Sequence, residues 1–235
     1  ISGGPTSHTA IICRSRSIAA VVSCSDAVDL VDGDVVLVDP VGDRVIVGGE
    51  ISSATQAITF IDTGREPIIP VRSNIGSLED ANKASTANAN GVGLFRTELL
   101  YLSATSQPDV ASQSASYAEI LAAAPDGPIV VRTIDAGSDK PVPFLHMPHE
   151  ENPSLGVRGF RLIREHRGFI EDQLHSIEFA RAHTNREVWV MAPMIATASE
   201  AREFADLARS IGKFKVGIMV ETPSIVTQIA DLKGQ

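Results

Sequence analysis

The chain opens on a glycine pair followed by a histidine among hydroxyl side chains, Gly3-Gly4-Pro5-Thr6-Ser7-His8-Thr9-Ala10. Glycine lets the backbone approach a ligand closely. The helix expected from Ala10 to about Ser17 would offer free N–H groups and the positive end of its dipole. Imidazole is a competent nucleophile near neutral pH, so His8 in this setting suits acceptance of a phosphoryl group. The plainer alternative is a histidine that decorates a glycine turn. Farther along, Arg96, Arg132 and Glu221 each follow an apolar run, and Pro193-Met194 closes another. Any one such charge could simply mark the exit of a strand to solvent. Repeated strand after strand, they fall where α/β folds assemble their sites, at the carboxyl ends of the strands.

The elements that would carry these residues fall into two stretches. Residues 1–49 are β-rich after the opening motif, with Val35–Val38 and Val45–Val47 joined by a Pro-Val-Gly-Asp turn as a hairpin. Residues 50–66 read as a linker. From 67 to 235 apolar runs recur at 68–71, 91–95, 129–131, 188–191 and 216–220, separated by helical patterns at 77–89, 110–124, 158–183 and 198–210. Strands alternating with helices imply parallel βαβ units, and continuous apolar strands imply burial on both faces. A complete eight-stranded barrel takes about 250 residues, more than this stretch holds. The expected architecture is therefore α/β with five parallel strands, as a partial (β/α) barrel or a doubly wound sheet. Its fifth strand would end the sheet as an apolar edge.

Composition excludes several classes. Of 235 residues 43% are hydrophobic and 21% charged, which describes a folded globular chain rather than a disordered one. The first residues lack the charged and apolar regions of a secretory signal, and no apolar run approaches the length of a membrane span. Two cysteines, Cys13 and Cys24, make no disulfide framework, so a cytoplasmic setting is expected. A net charge of −9 argues against a nucleic-acid partner held by bulk electrostatics. A small anionic ligand needs only a local cluster of cations.

The opening motif, continuing through Ile11-Ile12-Cys13-Arg14-Ser15 to Ile18-Ala19-Ala20-Val21-Val22, resembles the phosphohistidine signature of the phosphoenolpyruvate-utilising enzymes. Within that superfamily it is most similar to the enzyme I class, the phosphoenolpyruvate-protein phosphotransferases of the bacterial sugar phosphotransferase system. Five further segments agree in order: Gly91–Tyr101, Val131–Pro141, Glu151–Gly159, Met191–Ile195 and Val216–Pro223. The resemblance implies part of a β/β/α swivelling phosphohistidine domain followed by the amino-terminal part of a (β/α)₈ TIM barrel. It implies transfer of a phosphoryl group from phosphoenolpyruvate to His8 and on to the carrier protein HPr. It also implies Arg96, Arg132 and Arg158 as substrate ligands, Glu221 as a ligand of Mg²⁺, and a homodimer formed through the barrel. The chemistry agrees with those roles. Guanidinium forks hold phosphate and carboxylate bidentately, and Mg²⁺ prefers one or two carboxylates completed by substrate oxygens and water.

The family places a second metal-binding Asp, another substrate arginine and a proton-donating cysteine after the glutamate. The chain is therefore expected to be a piece of a longer protein, with the activity belonging to the whole. The competing expectations are a pyruvate phosphate dikinase or phosphoenolpyruvate synthase, and a non-catalytic remnant that keeps His8 as a phosphoacceptor. Plainer readings attach to the neighbours: Glu98 pairs with or orients a nearby arginine, and Asp135 and Lys140 line the mouth or stabilise a loop. Met191, Met194 and Met219 fill the core. His146, His149, His166, His175 and His183 sit on loops or helix surfaces without a catalytic part.

Overall fold

Valines on either side of a four-residue turn make the hairpin of the first unit. In the computed structural model, which describes residues 4, 9–10, 13, 18–40, 42–48, 68–102, 104–139 and 141–233, β1 (Val36–Asp39) pairs antiparallel with β2 (Arg44–Val47). Asp39 fixes the turn from both sides: its carboxylate accepts the Gly42 N–H at 2.9 Å and meets the Arg44 guanidinium at 3.0 Å. Asp43 takes the left-handed conformation (φ 51°) that such a turn requires. A 3₁₀ turn at Ser25–Asp29 precedes the hairpin. His8, most of the helix expected after it and the linker at 50–66 lie outside the described residues. The chain divides into two units, Ile1–Glu66 and Pro67–Gln235.

The second unit holds β3 (Ser73–Ile75), α1 (Leu78–Thr86), β4 (Val92–Arg96), α2 (Val110–Ala123), β5 (Ile129–Arg132), α3 (Ile163–Thr184), β6 (Val188–Ala192), α4 (Ala198–Ile211), β7 (Lys215–Ile218) and α5 (Pro223–Thr227). Its five strands are all parallel and stand in chain order, β3-β4-β5-β6-β7. A doubly wound sheet would reverse direction at a switch point. Strictly sequential winding instead makes this sheet the arc of a (β/α) barrel.

Local chemistry starts the helices where the sheet needs them. Ser77 caps α1, its hydroxyl accepting the Asp80 N–H, and Asp109 caps α2 through the Ser112 N–H. Thr197 and Glu200 form a reciprocal capping box at α4. One face of the sheet, with Phe95, Ile129, Val131 and Val190 wholly buried, packs under the helices. Tyr101, Phe144 and Phe169 meet edge to face at 5.4–5.9 Å and hold the long connection after β5 against α3. Phe160 against Phe204 fixes the 3₁₀ turn Gly159–Leu162 on α4.

Four expectations are corrected. The apolar run at 68–71 is not the first strand: Pro70 lacks an N–H for the ladder, and Ile68 and Ile69 are exposed. Asn90 takes up both Val71 backbone groups, and the strand starts at Ser73. Burial on both faces holds only for the helix side, since Asn74, Lys215 and Gly217 are exposed on the other. The helix expected from 158 begins at Ile163, after the 3₁₀ turn. His166 is not a simple surface residue. It marks a kink in α3 (φ −126°, ψ 40°), and its Nε2 is buried with no partner among the described residues. Among the described residues no helix is long and apolar enough to cross a membrane.

Candidate active site

Arg96 and Arg132 close β4 and β5 and are direct neighbours across the ladder. Like charges set opposite one another destabilise a sheet, so this pair needs compensation. It comes from the two turns that follow. The Arg132 guanidinium meets Glu98 Oε1 at 2.5 Å and Asp135 Oδ2 at 3.2 Å, with Met219 Sδ beyond β7 at 3.7 Å. Arg96, half-buried, has no ion pair among the described residues.

Arg158 joins the same carboxylate from a different element. Its Nε and Nη2 donate to the two oxygens of Asp135 at 2.9 and 3.2 Å, and its Nη1 donates to both oxygens of Asp139 at 2.9 and 3.1 Å. Asp135 is thus shared by two arginines while only 3% exposed. The Asp135 hydrogen bonds raise the Arg158 pKa further above its already high ordinary value, so its charge is permanent.

A third group is tied in through the backbone. Met194, just past β6, stands in the left-handed region (φ 61°), which costs a non-glycine residue of order 1–3 kcal/mol. Its N–H donates to Glu221 Oε1 at 2.7 Å, which holds that conformation. Gly159 (φ 57°) lies against Met194, where an added Cβ would come within 2.9 Å of the Met194 Cβ. The Phe160 N–H reaches Pro193 O at 3.2 Å. Arg158 and Glu221 are therefore linked through one small strained turn.

Of the residues expected from sequence, the structure brings Arg132 and Arg158 together on Asp135, places Arg96 beside Arg132, and sets Glu221 against the Met194 turn. His8 and Lys140 lie outside the described residues. Two of the plainer readings are refined. Glu98 does pair with an arginine, and Asp135 is the shared centre of the cluster rather than a loop residue alone. Met194 and Met219 do more than fill space, as the strained turn and the Arg132 contact show. Asp139 and Gln173 were not singled out. Gln173 was legible as a long polar side chain within the apolar stripe Phe169, Ile170, Leu174, Ile177 of α3.

At the carboxyl ends of β4 and β5, three buried side-chain atoms have no hydrogen-bond partner among the described residues: Glu98 Oε2, Arg132 Nε and Ser138 Oγ. Unpaired buried polar atoms are costly, and here they mark groups available to a ligand. For a divalent cation, Glu221 is exposed and, among the described residues, only one of its oxygens is committed, to the Met194 N–H. One free carboxylate oxygen fits Mg²⁺, which takes few protein ligands and completes its shell with substrate oxygens and water. Among the described residues no group of three or more His, Cys, Asp or Glu gathers as a self-sufficient metal site.

Comparison with known proteins matches residues 52–235 to the PEP-binding domain of the PEP-utilising enzymes, and residues 1–41 to their mobile domain. A phosphoenolpyruvate-protein phosphotransferase of Streptomyces coelicolor is 39% identical over 238 residues, covering 94% of this chain and 43% of that relative. One of Haloferax volcanii is 37% identical over 247 residues, covering 95% and 44%. A multiphosphoryl transfer protein of Rhodobacter capsulatus is 35% identical, covering 98% of this chain and 31% of the relative. The chain thus spans less than half the length of these relatives. Matched in both of its units, the chain belongs to the PEP-utilising enzyme family.

Proposed function

We propose that the protein carrying this chain is a phosphoenolpyruvate-protein phosphotransferase, which moves the phosphoryl group of phosphoenolpyruvate to His8 and then to a carrier protein of the HPr kind. The observation that carries the reading is the convergence of Arg132 and Arg158 on Asp135 beside Arg96, at the carboxyl ends of parallel strands. Phosphoenolpyruvate presents a phosphate and a carboxylate. Three guanidinium groups supply the fixed donors that position both. Phosphoryl transfer asks mainly for positioning and charge neutralisation, which these arginines provide.

In the transfer, a ring nitrogen of His8 forms the bond to phosphorus as the bond from phosphorus to the enol oxygen breaks. The electron pair stays on that oxygen, and enolpyruvate leaves. Arg96 and Arg132 neutralise the phosphoryl oxygens. Arg158, permanently charged, stays on Asp135 through Nε and Nη2 and turns its Nη1 bonds from Asp139, the exposed partner, over to the incoming anion. Mg²⁺, held by Glu221, supplies further charge neutralisation when bound. The family-derived site roles, the homodimer through the barrel and a cytoplasmic location belong to this same reading, as do domain limits at 1–49 and 67–235.

The test is intact mass after incubation with phosphoenolpyruvate and Mg²⁺, beside a His8→Ala control, with circular dichroism confirming that both are folded. The expected result is an acid-labile gain of one phosphoryl group, absent from the control. A folded protein that gains nothing, or a control that gains as much, overturns the reading.

A further inference from the structure

We propose that Gln173 is a positioning residue for the substrate site, its one buried amide clamping the two strand-end turns that carry Arg96 and Arg132. The proposal rests on the reading that these arginines bind phosphoenolpyruvate. Gln173 lies in the middle of α3 and is fully buried. Its Oε1 accepts the N–H of Ile134 at 3.0 Å, in the turn between Arg132 and Asp135. Its Nε2 donates to Thr97 Oγ1 at 3.0 Å, in the turn between Arg96 and Glu98. The Thr97 hydroxyl in turn donates to the carbonyl of Arg132 at 2.9 Å. One amide therefore ties the backbone of the turn after Arg132 to the Thr97 side chain of the turn after Arg96.

The donor count leaves no slack. An amide nitrogen has two N–H groups, and besides Thr97 the second finds the Tyr117 hydroxyl at 3.0 Å, with Tyr101 at 3.4 Å. The two tyrosine hydroxyls are hydrogen-bonded to each other at 2.7 Å, and Tyr101 donates to Gln113 Oε1 at 2.7 Å. β5 ends at Arg132, so the Ile134 N–H would be an orphaned buried donor without Gln173. An apolar residue here would pack with its helical neighbours but leave that N–H and the Thr97 link unmade. The contacts fall within one or two residues of both arginines and of Glu98 and Asp135. Displacement of these turns by a fraction of an ångström misaligns the guanidinium forks.

The phosphorylation assay above, read as labelling rate against phosphoenolpyruvate concentration, tests the proposal. Gln173→Leu should raise the half-saturating concentration about 10- to 100-fold, the range seen for groups behind metal ligands, with a smaller fall in the maximal rate. Gln173→Glu keeps an acceptor for the Ile134 N–H and should recover part of the loss. Leu174→Ala, on the same helix but away from the turns, should lower the melting temperature and leave half-saturation unchanged. If Gln173→Leu does not fold, Thr97→Val removes the hydroxyl that joins the Gln173 amide to the Arg132 carbonyl, leaves the Ile134 bond in place, and should raise half-saturation about threefold. A folded Gln173→Leu, or in its place Thr97→Val, with half-saturation unmoved overturns the positioning role while the assigned function stands. An unaltered protein that is never labelled overturns the function and the proposal with it.

Discussion

The two ends of one sheet handle charge in opposite ways. At the amino ends two cations approach the Trp189 ring, the Arg72 guanidinium at 5.4 Å and the Lys215 ammonium at 4.9 Å. Glu187 accepts from both Lys215 and the indole N–H, and its carboxyl is held below the usual range chiefly by the Lys215 hydrogen bond. Water reaches this cluster: the Lys215 and Glu187 side chains are 67% and 49% exposed. At the carboxyl ends Glu98, Arg132, Asp135 and Arg158 are buried and paired among themselves. Buried ion pairs are a poor source of stability, because desolvation cancels most of the Coulombic gain. Stability therefore does not explain why the carboxyl end alone buries its charges. A site that must present several cations at fixed spacing does.

The largest effect expected from this contrast is at Asp135. Asp135→Ala leaves two buried guanidinium groups without their shared carboxylate, and should cost about 3–5 kcal/mol, the usual loss when one partner of a buried pair is removed. The urea midpoint of the variant measures it. A loss under about 1 kcal/mol would mean that Glu98 and Asp139 suffice, and would remove the distinction between the two ends. Next comes Gly159→Ala. The left-handed backbone and the contact with Met194 should together cost about 1–3 kcal/mol. Because Gly159 adjoins Arg158, phosphoenolpyruvate half-saturation should rise as well. Unchanged half-saturation would separate the strained turn from the site.

Alkaline pH gives a finer probe of the buried side. The chain has two tyrosines, and both belong to the Gln173 network. Burial pushes the Tyr117 hydroxyl up to about 12, and burial together with Tyr117 raises Tyr101 well above its ordinary value. The folded state therefore favours the neutral phenols. Their contribution to stability is complete below pH 10, where the unfolded chain begins to ionise, and is lost as pH climbs toward 12. Absorbance at 295 nm should show almost no phenolate in the folded chain at pH 10.5, and about three quarters in urea, where the ordinary value near 10 applies. Comparable ionisation in the folded chain would mean that water enters behind the arginine turns.

Much of the fold was readable from the chain because parallel strands under helices demand continuous apolar runs. β4 to β7 lie within two residues of those runs. β3 does not: Pro70 has no N–H for the ladder, the Val71 N–H goes to the Asn90 side chain, and Ile68 and Ile69 are exposed, so the apolar run forms no strand. The start of α3 was missed for a related reason. Its apolar period continues back through Phe160 and Leu162, which a 3₁₀ turn buries as well as a helix would. Strand-end position was enough to flag Arg96, Arg132 and Glu221. It says nothing of what each side chain touches. Arg132 and Asp135 are only three positions apart, but the Asp135–Arg158 pair and the Gln173 bridge join residues 23 to 76 positions apart, a separation no local pattern encodes.

The amino end should give the smallest effect, and that is the sharper half of the comparison. Lys215→Ala removes an ion pair and a cation over Trp189, two contacts as conspicuous on paper as those around Asp135. Here both partners keep access to water, so the released carboxylate of Glu187 is solvated rather than stranded. The urea midpoint should not move measurably, and phosphoenolpyruvate half-saturation should stay the same. Trp189 is the chain's single tryptophan, so its fluorescence reports directly that the contact has gone. A midpoint shift approaching that of Asp135→Ala would show that the amino end depends on its charges just as heavily. Burial at the carboxyl end would then no longer single it out as the functional face.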